Sequence, residues 1–352
     1  MEKVVYLLGA GFSAPLGIPI MNNFLTKAKD IYFNNTERYS HFKAIFDIIK
    51  EMAYSKNYYK CDLSNIEEIL SILKMQERFS NKRLKKPFIK FIVDVINYYS
   101  PEFISKTDNI PINWPDYICM GQKERSYSYF LGSLFNFTIT YKTETDYEQK
   151  RKQFRISKSN KVDKEYAIIT LNYDLIPEKI CSLFNSLNST NENISFSKSH
   201  LSKDLSISIA LSKLHGSIEG ENIIPPTWNK TLDENIQFDW KLAFSLLESA
   251  NHIRILGYSL PETDAYFKYL LKASVIKNPH LKSIDVVCLD DFQGSVKQRY
   301  NNFIEKKYFR FLNKDINNYF ELLSKKTAGI SFQGDTISFN KLEKTHEEFF
   351  EE

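Results

Sequence analysis

The chain has 352 residues, 43% of them hydrophobic and 26% charged, the composition of a folded protein with a large core, as one big domain with insertions or as two domains; a disordered chain is excluded. Lysine plus arginine exceeds aspartate plus glutamate by 47 to 43, a formal charge of +4. The two signs alternate along most of the chain, so no direct nucleic-acid binding is expected. Cys61, Cys119, Cys181 and Cys288 are far apart, with no C-x-x-C pair and no histidine at ligand spacing. No zinc is expected, and four scattered thiols suit a reducing cytoplasm. The N-terminus runs straight into an apolar stretch without a leader, and no apolar run approaches the length of a membrane span, so the expectation is a soluble cytoplasmic protein that engages no membrane.

Val4 to Leu8 reads as a buried strand. The stretch from Leu7 to Pro19, L-L-G-A-G-F-S-A-P-L-G-I-P, places Gly9, Gly11 and Ala14 on the G-x-G-x-x-G/A spacing of a dinucleotide-binding turn. A pyrophosphate can sit against backbone N–H groups only where no Cβ intrudes, and the N-terminus of a following helix adds partial positive charge. Ser13 offers a hydroxyl, and Gly17-Ile18-Pro19 makes a second, stiffer bend. The competing reading of these glycines is tight packing after a first strand. In a dinucleotide-binding turn an acid about 20 residues on grips the ribose; Asp30 has that distance but falls in Met21 to Phe33, where Phe24, Leu25, Ala28, Ile31 and Tyr32 recur at helical spacing. The ribose must be held differently here.

From there to about Lys161 no strand is predicted. Helices are expected over His41 to Tyr54, over Ile66 to Phe79 behind a capping box at Ser64-Asn65-Ile66-Glu67, and over Leu84 to Tyr99. Pro101, Pro111 and Pro115 make a loop, Glu124 to Thr140 resumes the helical pattern, and Thr143 to Asn160 reads as an exposed connection. Regular alternation then returns: strands at Tyr166 to Leu171, Ile207 to Leu214, His252 to Leu256 and Ser283 to Leu289, helices at Leu175 to Leu187, Glu234 to Ala250 and Glu262 to Lys277. That order predicts an α/β protein, a Rossmann-like parallel sheet flanked by helices, with a large all-helical insertion and a helical C-terminal extension. The expected division is 1–30 with 160–293 for the α/β domain, 31–159 for the insertion and 294–352 for the extension, where Phe349 and Phe350 are expected to dock on a partner.

Each polar cluster falls at a strand's carboxyl end, where open α/β sheets bind ligands. Thr170-Leu171-Asn172-Tyr173-Asp174 offers an amide that can fix a water or a ribose hydroxyl and a carboxylate that can stabilise developing positive charge; an Asx turn capping the next helix is the alternative. His215, within K-L-H-G-S, can shuttle a proton or be structural. Gly257-Tyr258-Ser259-Leu260-Pro261 offers a close backbone approach and a hydroxyl, or only a strand-to-helix turn with Pro261 at the first helical position. Asp290 and Asp291 could receive the adenine-side ribose or be merely solvated.

Taken in order, these motifs resemble the sirtuin family, more closely its SIR2-like branch found in bacterial antiphage defence systems. The family's G-A-G-x-S and G-I-P stand as Gly9-Ala10-Gly11-Phe12-Ser13 and Gly17-Ile18-Pro19, its T-x-N-x-D as Thr170-Leu171-Asn172-Tyr173-Asp174, its histidine–glycine pair as His215-Gly216, and its late glycine–serine element as Gly257-Tyr258-Ser259. The resemblance implies NAD+ as substrate, contacted by Gly9, Ala10, Gly11, Ser13, Pro19, Thr170, Gly216, Gly257 and Ser259, with Asn172, Asp174 and His215 as the catalytic set. Departures weaken a protein-deacylase reading: Ile20-Met21-Asn22 replaces D-F-R after G-I-P, Leu171 replaces a glutamine, and the zinc-binding cysteine pairs are missing. Family members with the same losses and with helical insertions cleave NAD+ to nicotinamide and ADP-ribose. The resemblance therefore implies an NAD+ glycohydrolase acting as an antiphage effector. NAD-dependent deacylation or ADP-ribosylation, and a non-catalytic NAD or ADP-ribose-binding module, are the alternatives. Control is expected from self-assembly as a homo-oligomer or from a partner such as a HerA-like ATPase, an Argonaute or a phage sensor.

Overall fold

Glu2–Leu8 form strand β1, and the molecule is layered around it. The computed structural model describes residues 1–79, 85–105, 115, 118–142, 153–159, 164–198, 207–224, 234–276, 278–330 and 336–351. After β1 come α1 (Ala10–Ser13), α2 (Phe24–Asn34), α3 (His41–Met52), α4 (Ile66–Phe79), α5 (Lys85–Tyr99), α6 (Gln122–Phe135), β2 (Phe137–Lys142) and β3 (Gln153–Lys158). The chain continues through β4 (Lys164–Thr170), α7 (Ile176–Leu187), β5 (Ile194–Ser197), β6 (Ile207–Lys213), the short β7 (Gly216–Ser217) and β8 (Asn222–Ile223), α8 (Glu234–Glu248) and β9 (His252–Leu256). It ends with α9 (Ala265–Ser274), β10 (Ser283–Val287), α10 (Ser295–Asn301), β11 (Phe309–Leu312), α11 (Ile316–Ile330), β12 (Thr336–Ser338) and α12 (Leu342–Glu351).

Seven strands form one parallel sheet in the order β11-β10-β9-β1-β4-β6-β5. Val4, Tyr6 and Leu8 point to one face and Val5 and Leu7 to the other, all fully or almost fully buried, which is why β1 reads as a continuous apolar run rather than an alternating one. The apolar cluster on the first face takes in residues of α2 to α7, α11 and α12; that on the second takes in α8, α9 and α10. From β1 the chain builds outward through β4 and β6, then crosses back to lay β9 on the other side of β1. The direction of winding reverses between β1 and β9, and the crevice beyond their carboxyl ends is where such sheets take ligands.

The expected α/β class and parallel sheet are present, with two corrections to the local reading. The helix expected to run from Glu124 to Thr140 stops at Phe135, where Asn136 adopts a left-handed conformation (φ 50°). Beyond it Phe137, Ile139 and Tyr141 alternate with Thr138 and Thr140 as β2, paired antiparallel with β3 and β12. The block before Lys161 therefore holds strands, and part of the expected exposed connection is β3; Pro111 and residues 143–152 lie outside the described residues. The tail is likewise not purely helical: β11 extends the large sheet beside β10, and β12 joins β2. Phe349, 2% exposed, packs on Tyr319 in α11, and Phe350 packs on His346 and beneath Arg310. Phe349 thus docks inside the chain rather than on a partner, because it faces α11, while Phe350 stays half-buried. No helix among the described residues is long and apolar enough to cross a membrane.

Candidate functional site

Two loops meet at the switch point. Gly257 has φ +65°, and a Cβ there would lie 2.3 Å from the Phe12 nitrogen and 2.4 Å from the Gly11 carbonyl carbon. A Cβ on Gly9 would fall 2.6 Å from the Tyr258 Cβ. Gly9 N–H donates to the Leu256 carbonyl at 2.9 Å and Gly11 N–H to the Gly257 carbonyl at 2.8 Å. The packing role of these glycines is thereby visible: they let the loops after β1 and β9 touch, while Ala10 and Ser13 turn toward the cleft. Phe12 anchors the first loop from beneath, buried against Tyr127, Phe130 and Phe320, with the Tyr127 hydroxyl donating to its carbonyl at 2.5 Å.

Asn172 ties the β4 loop to the β1 loop. Its backbone N–H donates to Thr170 Oγ1 at 3.1 Å, and its side-chain amide donates to the Gly9 carbonyl at 2.9 Å and to Ser13 Oγ at 3.0 Å. Asp174 is buried and accepts the Ile176 N–H at 3.1 Å, so the helix-capping reading holds, while the residue also lines the cleft. Lys213 in β6 donates its ammonium to the Asp174 carbonyl at 2.6 Å and to Glu178 at 2.9 Å. His215 follows β6, its carbonyl accepting the Ile224 N–H at 2.9 Å. Its ring is 4% exposed, with Nε2 3.6 Å from Asp264 Oδ2 and Nδ1 4.0 Å from Glu67 Oε1.

Both carboxylates are themselves held. The Tyr173 hydroxyl donates to Glu67 at 3.0 Å and the Tyr258 hydroxyl to Asp264 at 2.9 Å. Burial, and then the neighbouring carboxylate, pushes both phenols well above their ordinary range, so they stay protonated and serve as donors. The backbone of the Tyr258 loop is fixed from α10: the Tyr300 hydroxyl donates to the Tyr258 carbonyl at 2.7 Å and Arg299 Nε to the Ser259 carbonyl at 2.9 Å.

Of the residues expected at the site, Ala10, Ser13, Pro19, Asn172, Asp174, His215, Gly257 and Ser259 line one cleft; Gly9, Gly11, Thr170 and Gly216 do not line it. Asp290 and Asp291 accept backbone N–H groups at the start of α10, and neither lines the cleft. Asp30 is exposed on α2. Sequence reasoning missed Glu67 and Asp264. Glu67 was legible only as the acid of a capping box, and Asp264 fell inside the helix expected over Glu262 to Lys277, whereas α9 starts one residue after it; their convergence on His215 is tertiary. The box itself is built differently: Asn65, not Ser64, accepts the N–H groups of Glu67 and Glu68, at 2.9 and 3.1 Å, while Ser64 turns to Asp62. Opposite the polar wall, Ile18, Met21, Phe24, Ile66 and Ile96 make an apolar one. Among the described residues that line the cleft, Glu67, Asp174 and Asp264 are acidic and none is lysine or arginine. No group of three or more His, Cys, Asp or Glu among the described residues is placed to hold a metal ion.

The chain is similar to solved sirtuins. A Sir2 in complex with the inhibitor EX-527, 2′-O-acetyl-ADP-ribose and a deacetylated p53 peptide is 14% identical over 94% of this chain and 95% of its own, with a TM-score of 0.33. Sir2Tm bound to a propionylated peptide is 14% identical over 94% of each chain, TM-score 0.34. A Sir2 with a p53 peptide and NAD+ is also 14% identical over 94% of each chain, TM-score 0.32. No family model matches the chain, and no curated protein matches it.

Proposed function

We propose that the cleft binds NAD+ and hydrolyses its nicotinamide–ribose bond, giving nicotinamide, ADP-ribose and a proton. The observation that carries this reading is the meeting of Asn172 and His215, from the ends of β4 and β6, on a single cleft at the switch point. The chemistry needs little else. The C1′–N bond breaks with its electron pair going to the pyridinium nitrogen, so the leaving group departs neutral without a general acid, through an oxocarbenium-like transition state of the kind met in glycoside hydrolysis. Water then adds to C1′ and gives up a proton. An acidic lining without lysine or arginine suits a cationic ring and a cationic transition state.

In this reading Asn172, whose amide nitrogen is committed to Gly9 and Ser13, presents its Oδ1 to the ribose or to the attacking water. Asp174 orients the nicotinamide amide, and His215 polarises the water or a ribose hydroxyl. Ala10, Ser13, Gly257 and Ser259 contact the rest of the dinucleotide. The cellular role attached to this activity, depletion of NAD+ in an antiphage response under control of self-assembly or a partner protein, rests on the motif resemblance alone.

Chromatography of NAD+ after incubation with the purified chain tests the reading. Free nicotinamide without any acceptor is expected, and Asn172→Ala and His215→Ala should each lower its release by at least about 100-fold with unchanged circular dichroism. Release that requires an acetylated peptide would move the assignment to deacylation. Intact NAD+ would leave only binding, and undiminished release from either variant would remove that residue from the mechanism. Mass in solution, and survival of phage-challenged cells carrying the active or the His215→Ala protein, test the assembly and the cellular role.

A further inference from the structure

We propose that Glu67 and Asp264 are positioning residues that hold the His215 imidazole between two carboxylates, so that the helical block supplies part of the site. The inference rests on the hydrolase reading for its catalytic meaning, but its physical content stands on the imidazole alone. Asp264 lies 3.6 Å from Nε2 and Glu67 lies 4.0 Å from Nδ1, one on each side of the ring. These separations exceed direct hydrogen bonds and are within the range over which an opposite charge favours imidazolium. His215 and Asp264 are almost completely buried, and the Glu67 side chain is 17% exposed, so solvent screens the charges weakly.

Neither acid is a loose surface group. Tyr173, whose ring centroid is 6.1 Å from that of His215, donates to Glu67, and Tyr258 donates to Asp264. The two phenols come from the loops after β4 and β9, so the carboxylates are fixed by the walls that carry the expected substrate contacts. Asp174 also lines the cleft from the β4 loop. The ammonium of Lys213, two residues before His215, is taken up by the Asp174 carbonyl and Glu178. Among the described residues, the carboxylates paired with the imidazole come from α4 and from the segment before α9, and the third acid of the cleft lining, Asp174, comes from the β4 loop. The two carboxylates oppose the burial that disfavours the imidazolium form, and they fix the ring plane.

The test follows the imidazole directly. In full-length protein with nitrogen-15-labelled histidine, the His215 signals are assigned by their loss in His215→Asn and titrated in wild type, Glu67→Gln, Glu67→Asp, Asp264→Asn and Tyr173→Phe. Glu67→Gln and Asp264→Asn should each lower the imidazole pKa by about one unit, Tyr173→Phe should lower it less, and Glu67→Asp should restore most of it. The limb of the nicotinamide-release profile that reports His215 should move with it. A titration unchanged in both Glu67→Gln and Asp264→Asn overturns the proposal, even with normal NAD+ turnover. The expected shifts without turnover in wild type would uphold the arrangement and remove the hydrolase reading. Should one variant fail to fold, the other and Tyr173→Phe decide by the same readout.

Discussion

Gly257 meets two constraints that separate cleanly in experiment. Its φ of +65° disfavours any side chain, and a Cβ would also strike the backbone of Gly11 and Phe12; Gly220 has a comparable φ of +72° with nothing within 4 Å. Gly257→Ala should therefore cost about 2–4 kcal/mol by urea denaturation and displace the Gly9 loop, whereas Gly220→Ala should cost only about 1–2 kcal/mol for the conformation itself. Equal losses would show that the loops can part without penalty. At this scale the sequence was informative where chemistry is local. Asn172, Asp174 and His215 each follow an apolar strand and declare themselves as polar groups at a carboxyl end. Glu67 and Asp264 do not, because an acid at a helix start has an ordinary capping explanation, and only the fold brings residues 148 and 49 positions from His215 against its ring.

Among the elements, α12 is clamped to the sheet by charge. Arg254 in β9, 2% exposed, donates to both Glu343 oxygens at 2.8 and 2.9 Å and to the Tyr6 hydroxyl at 2.7 Å; Tyr166 donates to the same carboxylate at 2.8 Å. Burial opposes the Arg254 charge, but Tyr6 and Glu343 outweigh it and hold the guanidinium charged. Glu343→Ala would leave that cation buried and unpaired, at a cost of about 3–5 kcal/mol, read as a lower denaturation midpoint. Replacing both partners by Met should cost less than the two single losses combined. The start of α4 offers a gentler test: Asn65→Ala should cost about 1 kcal/mol and Ser64→Ala less than about 0.5 kcal/mol, since only Asn65 caps. The long amphipathic helices were legible to within a few residues because their period is carried over many positions. Strands β5, β11 and β12, with four, four and three residues, were not: segments that short acquire extended structure from the partner they pair with, and β2 was lost because a single residue separates it from α6, although its threonines favour a strand.

For the molecule as a whole, one source of acid sensitivity lies beneath α12. Burial and then the Arg254 charge push the His346 imidazole down to about 4, and it sits neutral between the Tyr319 hydroxyl and Asp285, each at 3.2 Å. For Asp285, burial disfavours the anion, but hydrogen bonds from His346 and Arg310 outweigh it and hold the carboxyl well below its usual range. Both groups bind fewer protons folded than unfolded, so both contribute stability that is lost on acidification. His346 acts first, between its ordinary value of 6.5 and about 4, and Asp285 follows below the ordinary carboxylate range. Thermal unfolding should hold steady above about pH 6.5 and fall through that window by up to about 3 kcal/mol from His346; His346→Gln should flatten the upper part of the fall, and an unchanged slope would assign it elsewhere. The place of β1 in the sheet has a consequence during synthesis. Val5 must lie between Ala167 and Ile253, yet at ordinary ribosomal speed the second of these follows it by about 12–50 s. Until β9 emerges, one edge of this apolar strand stays unpaired even after β4 has been made, so nascent chains stalled short of β9 should be degraded readily and bind chaperones through their first few residues, a vulnerability that ends only when translation passes the middle of the sheet.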